Sequence, residues 1–365
     1  MEFIDLQEQY RRYQAEIDGR MQRVLQHGRF IMGPEVLELE ETLARYVGVK
    51  HCLSVGSGTV SLEMALRALG VGPGDEVITP PFTFIATAEV ALLVGAKPVF
   101  VDIEPEFYNL DPAKLEAAIT PRTKAIIPVD LFGQLADYGM IHEIACGHNL
   151  PVIEDAAQSF GAEQGGRKSC SFGLIASTSF FPAKPLGCYG EGGALFTNDD
   201  ALADKMRAIR NHGGVVRDQH ETVGLNGRFD SLQAAVLLAK LPHFDWELEQ
   251  RARIGARYSE ALRDVCGTPA IRPGNTHVYA QYTLRMPDRD AVMAALREQG
   301  IPSAVYYSRC LHLQGMFAEL GYKAGDFPVA EQASREVLSL PMHPFLTEEE
   351  QDRVVRAVRE ALGPG

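Results

Sequence analysis

A chain of 365 residues is too long for one small core, and a prior of roughly 150 residues per domain suggests two units. Hydrophobic residues make up 46% and charged residues 23%, a globular balance that excludes wholesale disorder and a fibrous protein. A net charge of −13 leaves no dense basic face for a phosphate backbone, which excludes a general nucleic-acid binder, although backbone amides can still build a local anion site.

The chain opens on MEFIDLQEQYRRYQAEIDGRMQ, which is charged and lacks the apolar core of a secretion signal. No run of about 18 apolar residues follows. The most apolar helical stretch, Ile85 to Val94, is short and contains Glu89, so a cytoplasmic protein with no membrane partner is expected. Six scattered cysteines (Cys52, Cys146, Cys170, Cys188, Cys266, Cys310) form no C-x-x-C pair, against both a disulfide framework and a zinc knuckle.

The first two-thirds of the chain alternates β-like runs with helical patterns. His51 to Gly56 reads as a strand and Val60 to Leu69 as a helix. Glu76 to Thr79 is a strand, Ile85 to Val94 a helix, and Lys97 to Asp102 a strand. Asp111-Pro112 opens a helix, with Asp as N-cap and Pro in the first helical position. Strands at Lys124 to Asp130 and Pro151 to Asp155 flank a helix over 139–147. This order predicts an α/β fold, a mostly parallel sheet with helices on both faces and a ligand crevice at the carboxyl ends of its strands. From Ser231 the pattern turns helical: Ser231 to Leu241, a break at Pro242, then Trp246 to Leu262. A strand at Val278 to Met286, a helix at Asp290 to Gln299, a strand at Ile301 to Tyr307 and a helix at Thr347 to Leu362 complete a smaller α/β unit. The expected division is a large unit, 1–243, and a small one, 244–365.

Three local features carry chemistry. In Val152-Ile-Glu-Asp155-Ala-Ala-Gln158 an acid ends a buried strand; it reads either as a helix cap or as a carboxylate for a cationic ligand nitrogen. Lys184 precedes a proline and sits among apolar residues and the glycines Gly187, Gly190, Gly192 and Gly193. It either reaches solvent or is desolvated in a pocket, where its pKa falls and it suits Schiff-base chemistry. Val55-Gly56-Ser57-Gly58-Thr59 is a strand end opening onto a helix, which is a plain turn or an anion site with a Thr59 hydroxyl donor. Together, a phosphate cradle, a buried acid and a desolvated lysine are the parts that hold pyridoxal 5′-phosphate.

These segments resemble the DegT/StrS-type sugar aminotransferases, a branch of the pyridoxal-phosphate-dependent transferases of fold type I. The resemblance runs over essentially the whole chain and includes GRFIMGPEV, PPFTFIATAEV, VFVDI, KAIIPVDLFGQ, VIEDAAQSFGA, TSFFPAKPLGCYGEGGALFTND, GLNGRFDSLQAA and SLPMHP. It is narrowest toward the aminotransferases of UDP-linked 2-acetamido-3-keto-glucuronic acid, which serve bacterial surface polysaccharides such as O-antigen; another nucleotide-linked keto-sugar is the alternative. The resemblance implies that Lys184 bonds the cofactor and carries the proton, and that Asp155 contacts the pyridine nitrogen. It further implies that Gln158 lies near the ring hydroxyl, Phe84 stacks on the ring, and Ser57, Gly58, Thr59 and Ser179 hold phosphate. Asn226 would reach the phosphate of a neighbouring subunit, so a homodimer with shared sites is expected. Arg228 would face a substrate carboxylate, with Tyr306 and Tyr307 nearby. Related enzymes carry His-Tyr-Pro where this chain has Tyr306-Tyr307-Ser308, a departure that bears on the sugar pocket more than on the chemistry. The implied reaction is a ping-pong transamination from L-glutamate. The related dehydratases carry histidine at the position of Lys184; G-x-G-x-x-G, expected of a nucleotide oxidoreductase, is absent, as is the helix-turn-helix of a regulator.

Overall fold

The structure, a computed structural model, describes residues 1–216 and 218–363. Strands β1 (His51–Val55), β2 (Glu76–Thr79), β3 (Lys97–Phe100), β4 (Thr123–Ile126) and β5 (Ile153–Asp155) come first along the chain. After a short hairpin of β6 (Glu163–Gln164) and β7 (Arg167–Lys168) come β8 (Ile175–Ser179) and β9 (Gly193–Thr197). A second hairpin, β10 (Gly214–Val216) with β11 (Gln219–His220), precedes β12 (Tyr282–Arg285) and β13 (Val337–Leu340).

Four strands pair in the order β1-β9-β8-β5, and three in the order β3-β2-β4. Parallel bridges Ile126↔Val152 and Val129↔Asp155 join the two groups into one sheet, β1-β9-β8-β5-β4-β2-β3. Strand β9 is antiparallel to both neighbours, whereas the pairs β5/β8, β2/β3 and β2/β4 are parallel. The sheet is therefore mostly parallel, as the β-α-β order predicts, with one reversed strand that the order did not reveal.

Alternation along the strands divides the interior into two layers. Cys52 of β1 and Ala194 and Phe196 of β9 face a cluster with Val36, Leu39 and Leu43 of helix Pro34–Val47 and Leu237 of helix Ser231–Lys240. Leu53 and Val55 of β1 and Leu195 of β9 face the other layer, built on Leu62, Leu66, Val90 and Met206. Helices thus cover both faces, and the sheet is buried between them. The N-terminal helix Leu6–His27, absent from the predicted elements, is capped by Asp5 and packs Tyr13 and Ile17 against Val236 and Ala239.

A further cluster, drawn largely from residues 254–358, surrounds the antiparallel pair β12/β13. It includes Tyr258 and Tyr282, whose ring centroids lie 5.0 Å apart. The last helix, Glu348–Leu362, begins with a Thr347/Glu350 capping box, which satisfies donors on both sides of the helix start. Among the described residues no helix is long and apolar enough to cross a membrane.

Three expected elements differ. Pro242 does not break the chain's course, because the 3-10 turn Leu241–His243 links helix Ser231–Lys240 directly to Phe244–Leu262. The strand predicted at Val278 to Met286 shortens to Tyr282–Arg285, since Tyr279 has φ +47° and Val278 N–H donates to Gly133 O at 2.8 Å. The strand predicted at Ile301 to Tyr307 reduces to one bridge, Ala304↔Ser339. Tyr306 and Tyr307 instead line a cavity, where aromatic packing replaces ladder hydrogen bonds.

One close approach fixes where this cavity lies. A Cβ at Gly193, the first residue of β9, would stand 2.6 Å from the Ser57 carbonyl carbon and 2.7 Å from Gly58 N. Backbone cannot yield there as a side-chain tip can, so Gly193→Ala is expected to destabilise the protein by roughly 1–3 kcal/mol in thermal unfolding. Gly19→Ala, at a helical site with nothing within 4 Å, is expected to be neutral or stabilising by up to about 1 kcal/mol.

Candidate active site

A cavity of ≈ 430 Å³ opens where β5 and β8 end and helix Gly58–Ala68 begins. Ser57, Gly58, Thr59, Phe84, Asp155, Gln158, Ser179, Lys184, Tyr306 and Tyr307 all line it. Crossover topology accounts for the convergence: strand ends carry Asp155 and Ser179 to one rim, where the loop after β8 turns back with Lys184.

Asp155 lies at the end of a strand, buried on every side. Its Oδ2 accepts from Thr87 Oγ1 at 2.8 Å and its Oδ1 from Ala157 N at 3.2 Å. Burial raises its pKa above the ordinary carboxylate range, while the Thr87 hydroxyl, the Ala157 N–H and the charge of Lys184 pull it back. Asp155 thus does both things its position allowed: its Oδ1 caps the segment that follows through Ala157 N–H, although no helix forms there, and the carboxylate lines the cavity.

Lys184 sits in a tight loop. Its N–H donates to Phe181 O at 2.8 Å, and Cys188 N–H donates to Phe180 O at 2.8 Å. A Cβ at Gly187 would stand 2.4 Å from Pro182 O, so this turn closes only with glycine. The Lys184 ammonium makes no hydrogen bond or ion pair among the described residues. Burial brings its pKa down to about 8, and the Asp155 charge opposes the fall. An amine so placed is partly neutral near physiological pH and has a free lone pair for bonding carbon or moving a proton.

At the other end, Ser57 is extended (φ −169°) and caps helix Gly58–Ala68, its hydroxyl accepting from Val60 N. A Cβ at Gly58 would meet Ser179 Cβ at 2.9 Å, so glycine lets Ser179 close against the helix start. Free N–H groups at the start of this helix, its dipole and the Thr59 and Ser179 hydroxyls make an anion cradle. Gln158 is committed at both ends: its Oε1 accepts from Phe132 N at 2.8 Å and its Nε2 donates to Tyr307 Oη at 3.1 Å. Phe84 remains 54% exposed at the mouth, 6.3 Å from the Tyr307 ring, open to a flat ligand.

Asn226 and Arg228 are not brought into this cavity. Asn226 bridges Asn211, and Arg228 Nη1 donates to Asn211 Oδ1 at 3.0 Å. Arg228 lines a separate surface cavity of ≈ 890 Å³ with Lys205, Arg207 and Arg210. Sequence reasoning missed Thr87, Thr83, Glu191 and Gln281 as lining residues. Thr87 carried a signal, since it follows Phe84 by three residues at a helix start and shares its face. Gln281, far along the chain, carried none.

An anion cradle, an aromatic face, a desolvated amine and a buried carboxylate follow one another around this cavity. The DegT/DnrJ/EryC1/StrS aminotransferase family model matches residues 11–359. The chain belongs to the DegT/DnrJ/EryC1/StrS aminotransferase family. It is 55% identical over 347 residues to UDP-2-acetamido-2-deoxy-3-oxo-D-glucuronate aminotransferase of Pseudomonas aeruginosa, covering 95% of this chain and 96% of that one. A DegT DnrJ EryC1 StrS aminotransferase from Brucella abortus has the same fold at TM-score 0.97 and 46% identity, with 100% of both chains covered. NtdA from Bacillus subtilis, solved with bound cofactor PMP, matches at TM-score 0.90 and 32% identity over 99% of this chain and 83% of that one.

The enzyme is therefore a pyridoxal 5′-phosphate-dependent aminotransferase, and its cavity fits that group. Glycine at 58 and 193 lets the segments around the cradle close on one another, and the carboxylate and the amine are both in place. When bound, the cofactor supplies an electron-accepting pyridinium ring that holds an amino group between two half-reactions.

The Lys184 environment has a measurable signature. In apoprotein, competitive acylation of Lys184 should titrate with a midpoint near 8, reactivity rising with pH as the ammonium loses its proton. Asp155→Asn removes the charge that raises this pKa, so the midpoint should move to lower pH. A shift to higher pH would contradict the described electrostatics.

Proposed function

We propose that the enzyme moves the amino group of L-glutamate to the 3-keto carbon of a UDP-linked 2-acetamido hexuronic acid, in supply of bacterial surface polysaccharide such as O-antigen. The observation that carries the reading is Lys184 and Asp155 sharing one cavity in a chain 55% identical to an enzyme named for that sugar. Asp155 would hold a proton on the ring nitrogen of pyridoxal 5′-phosphate. Lys184 Nζ would take a proton from the substrate carbon on one side of the transferred nitrogen and return it to the cofactor carbon on the other side. Ser57, Gly58, Thr59 and Ser179 would bind the phosphate, Phe84 would cover the ring face, and Gln158 would lie near the ring hydroxyl.

Charge argues for a second copy of the chain at each site. The ionisable groups of opposite sign lining the cavity are Lys184 against Asp155 and Glu191, with no arginine among its described lining residues. Both L-glutamate and a uronic acid bring carboxylates, for which a planar guanidinium is the natural partner. We place Arg228 and Asn226 of one protomer at the cavity of its partner in a homodimer, Arg228 toward substrate carboxylate and Asn226 toward phosphate. Division into 1–243, which carries the cofactor residues, and 244–365, which contributes Tyr306 and Tyr307, belongs to the same reading, as does a cytoplasmic location beside nucleotide-sugar pools. A different nucleotide-linked keto-sugar is the second reading; Tyr306 and Ser308, where related enzymes carry His and Pro, favour it.

Lys184→Ala is expected to abolish transfer and the label fixed by hydride reduction. Mixing Lys184→Ala with Asn226→Ala protomers should restore about a quarter of wild-type sites, because half of randomly paired dimers then hold one intact site. No recovery after subunit exchange would refute sharing of sites. Arg228→Ala should erase any preference for the uronic acid over its 6-hydroxymethyl counterpart in competition assays.

A further inference from the structure

We propose that the side-chain amide of Gln281 recognises the acetamido group of the sugar, its Oε1 accepting a hydrogen bond from the acetamido N–H. Gln281 lines the cavity beside Tyr306, Tyr307, Thr83 and Phe84. Its Oε1 is buried and has no hydrogen-bond partner, and its Nε2 makes no hydrogen bond among the described residues. A buried acceptor without a donor is costly, so one retained at the wall of a binding cavity calls for a ligand donor. The contrast with Gln158 is direct: that amide faces the same cavity but is spent on Phe132 N and Tyr307 Oη.

The backbone holds Gln281 in place. Its N–H donates to Phe132 O at 3.3 Å, and Val278 N–H donates to Gly133 O at 2.8 Å. A Cβ at Gly133 would stand 2.8 Å from Tyr279 N and 2.9 Å from Ala280 N, so the two segments touch through bare backbone. Strand β12 begins at the next residue. Phe132 therefore links the two glutamines, its N–H bound by Gln158 and its carbonyl by Gln281. An amide fixed this way presents its unpartnered Oε1 in a constant direction, an acceptor for a ligand N–H.

Other groups of the reactants fit less well. Carboxylates of L-glutamate only accept, and would leave the buried Oε1 without a donor. A hydroxyl at the sugar's C2 has one rotatable proton that can turn to other acceptors, whereas the planar acetamido group fixes the direction of its N–H. The assignment rests on the proposed substrate reading and adds to it the side chain that reads C2.

The test compares holoenzyme and its Gln281→Met variant on two acceptors differing only at C2, UDP-2-acetamido-3-keto-glucuronate and UDP-3-keto-glucuronate. Wild type should prefer the acetamido sugar. In the variant, kcat/KM for that sugar should fall roughly tenfold, mainly through KM, while the 2-hydroxyl sugar changes far less and the preference collapses. An equal fall for both sugars, or a fall confined to KM for L-glutamate, would overturn the assignment. Wild type that accepts an amino group from L-glutamate but passes it to neither sugar would refute the substrate reading itself, and the assignment with it. Gln281→Leu, which also removes the acceptor, serves if Gln281→Met folds poorly; there too the preference should be lost, and its retention would overturn the proposal.

Discussion

The cost of burying charge governs this active site. Lys184 and Asp155 lie in one water-poor cavity, and neither is neutralised by a short ion pair. Instead burial pushes the lysine's pKa down and the acid's up, while each charge moderates the other's shift. The Thr87 hydroxyl and the Ala157 N–H hold the carboxylate without consuming the lysine. An amine left unpaired in this way is reactive; a direct salt bridge would have made it inert.

Behind Asp155 the sheet carries more buried acid. Asp130 accepts from Ala136 N–H, Tyr138 Oη and Ser159 Oγ, and Glu154 accepts from the N–H groups of Cys170, Phe172 and Gly173. Each is saturated by donors from loops that pack against the strand ends, and burial raises both pKa values, that of Glu154 to about 7. These anchors shape the loop 131–136 and the turn at 170–173, and Phe132 in the first of them touches both cavity glutamines. The polar floor thus sets the position of the rim.

Glycine does comparable work at the opposite end. At Gly193 the start of β9 meets the Ser57-Gly58 backbone directly, and at Gly58 the helix start meets Ser179 at the end of β8. Free helix N–H groups then face a cradle that the Thr59 and Ser179 side chains also line. On the proposed reading the same economy leaves each protomer short of cations, and a second copy supplies them.

Much of the site was legible in the sequence because its residues sit beside strong local signals. Asp155 ends an apolar strand, Ser57-Gly58 joins a strand to a helix, and Lys184 stands before a proline among glycines; each of these signals spans a few residues. Five of the sheet's six like-directed strands, all but β8, and most helices followed from periodicity for the same reason. Tertiary structure alone decided what depends on distant partners: the reversed β9, the failure of 301–307 to continue as a strand, the bond from Thr87 to Asp155, and the free amide of Gln281. Tyr306 alternates with its neighbours as a strand residue would, yet it turns to the cavity because Phe3 and Tyr307 offer contact that a ladder at the small sheet's margin cannot match. A local pattern determines which face of a segment is apolar and where its turns fall. Packing across more than a hundred residues determines which polar atoms end without partners, and these are the atoms left for a ligand.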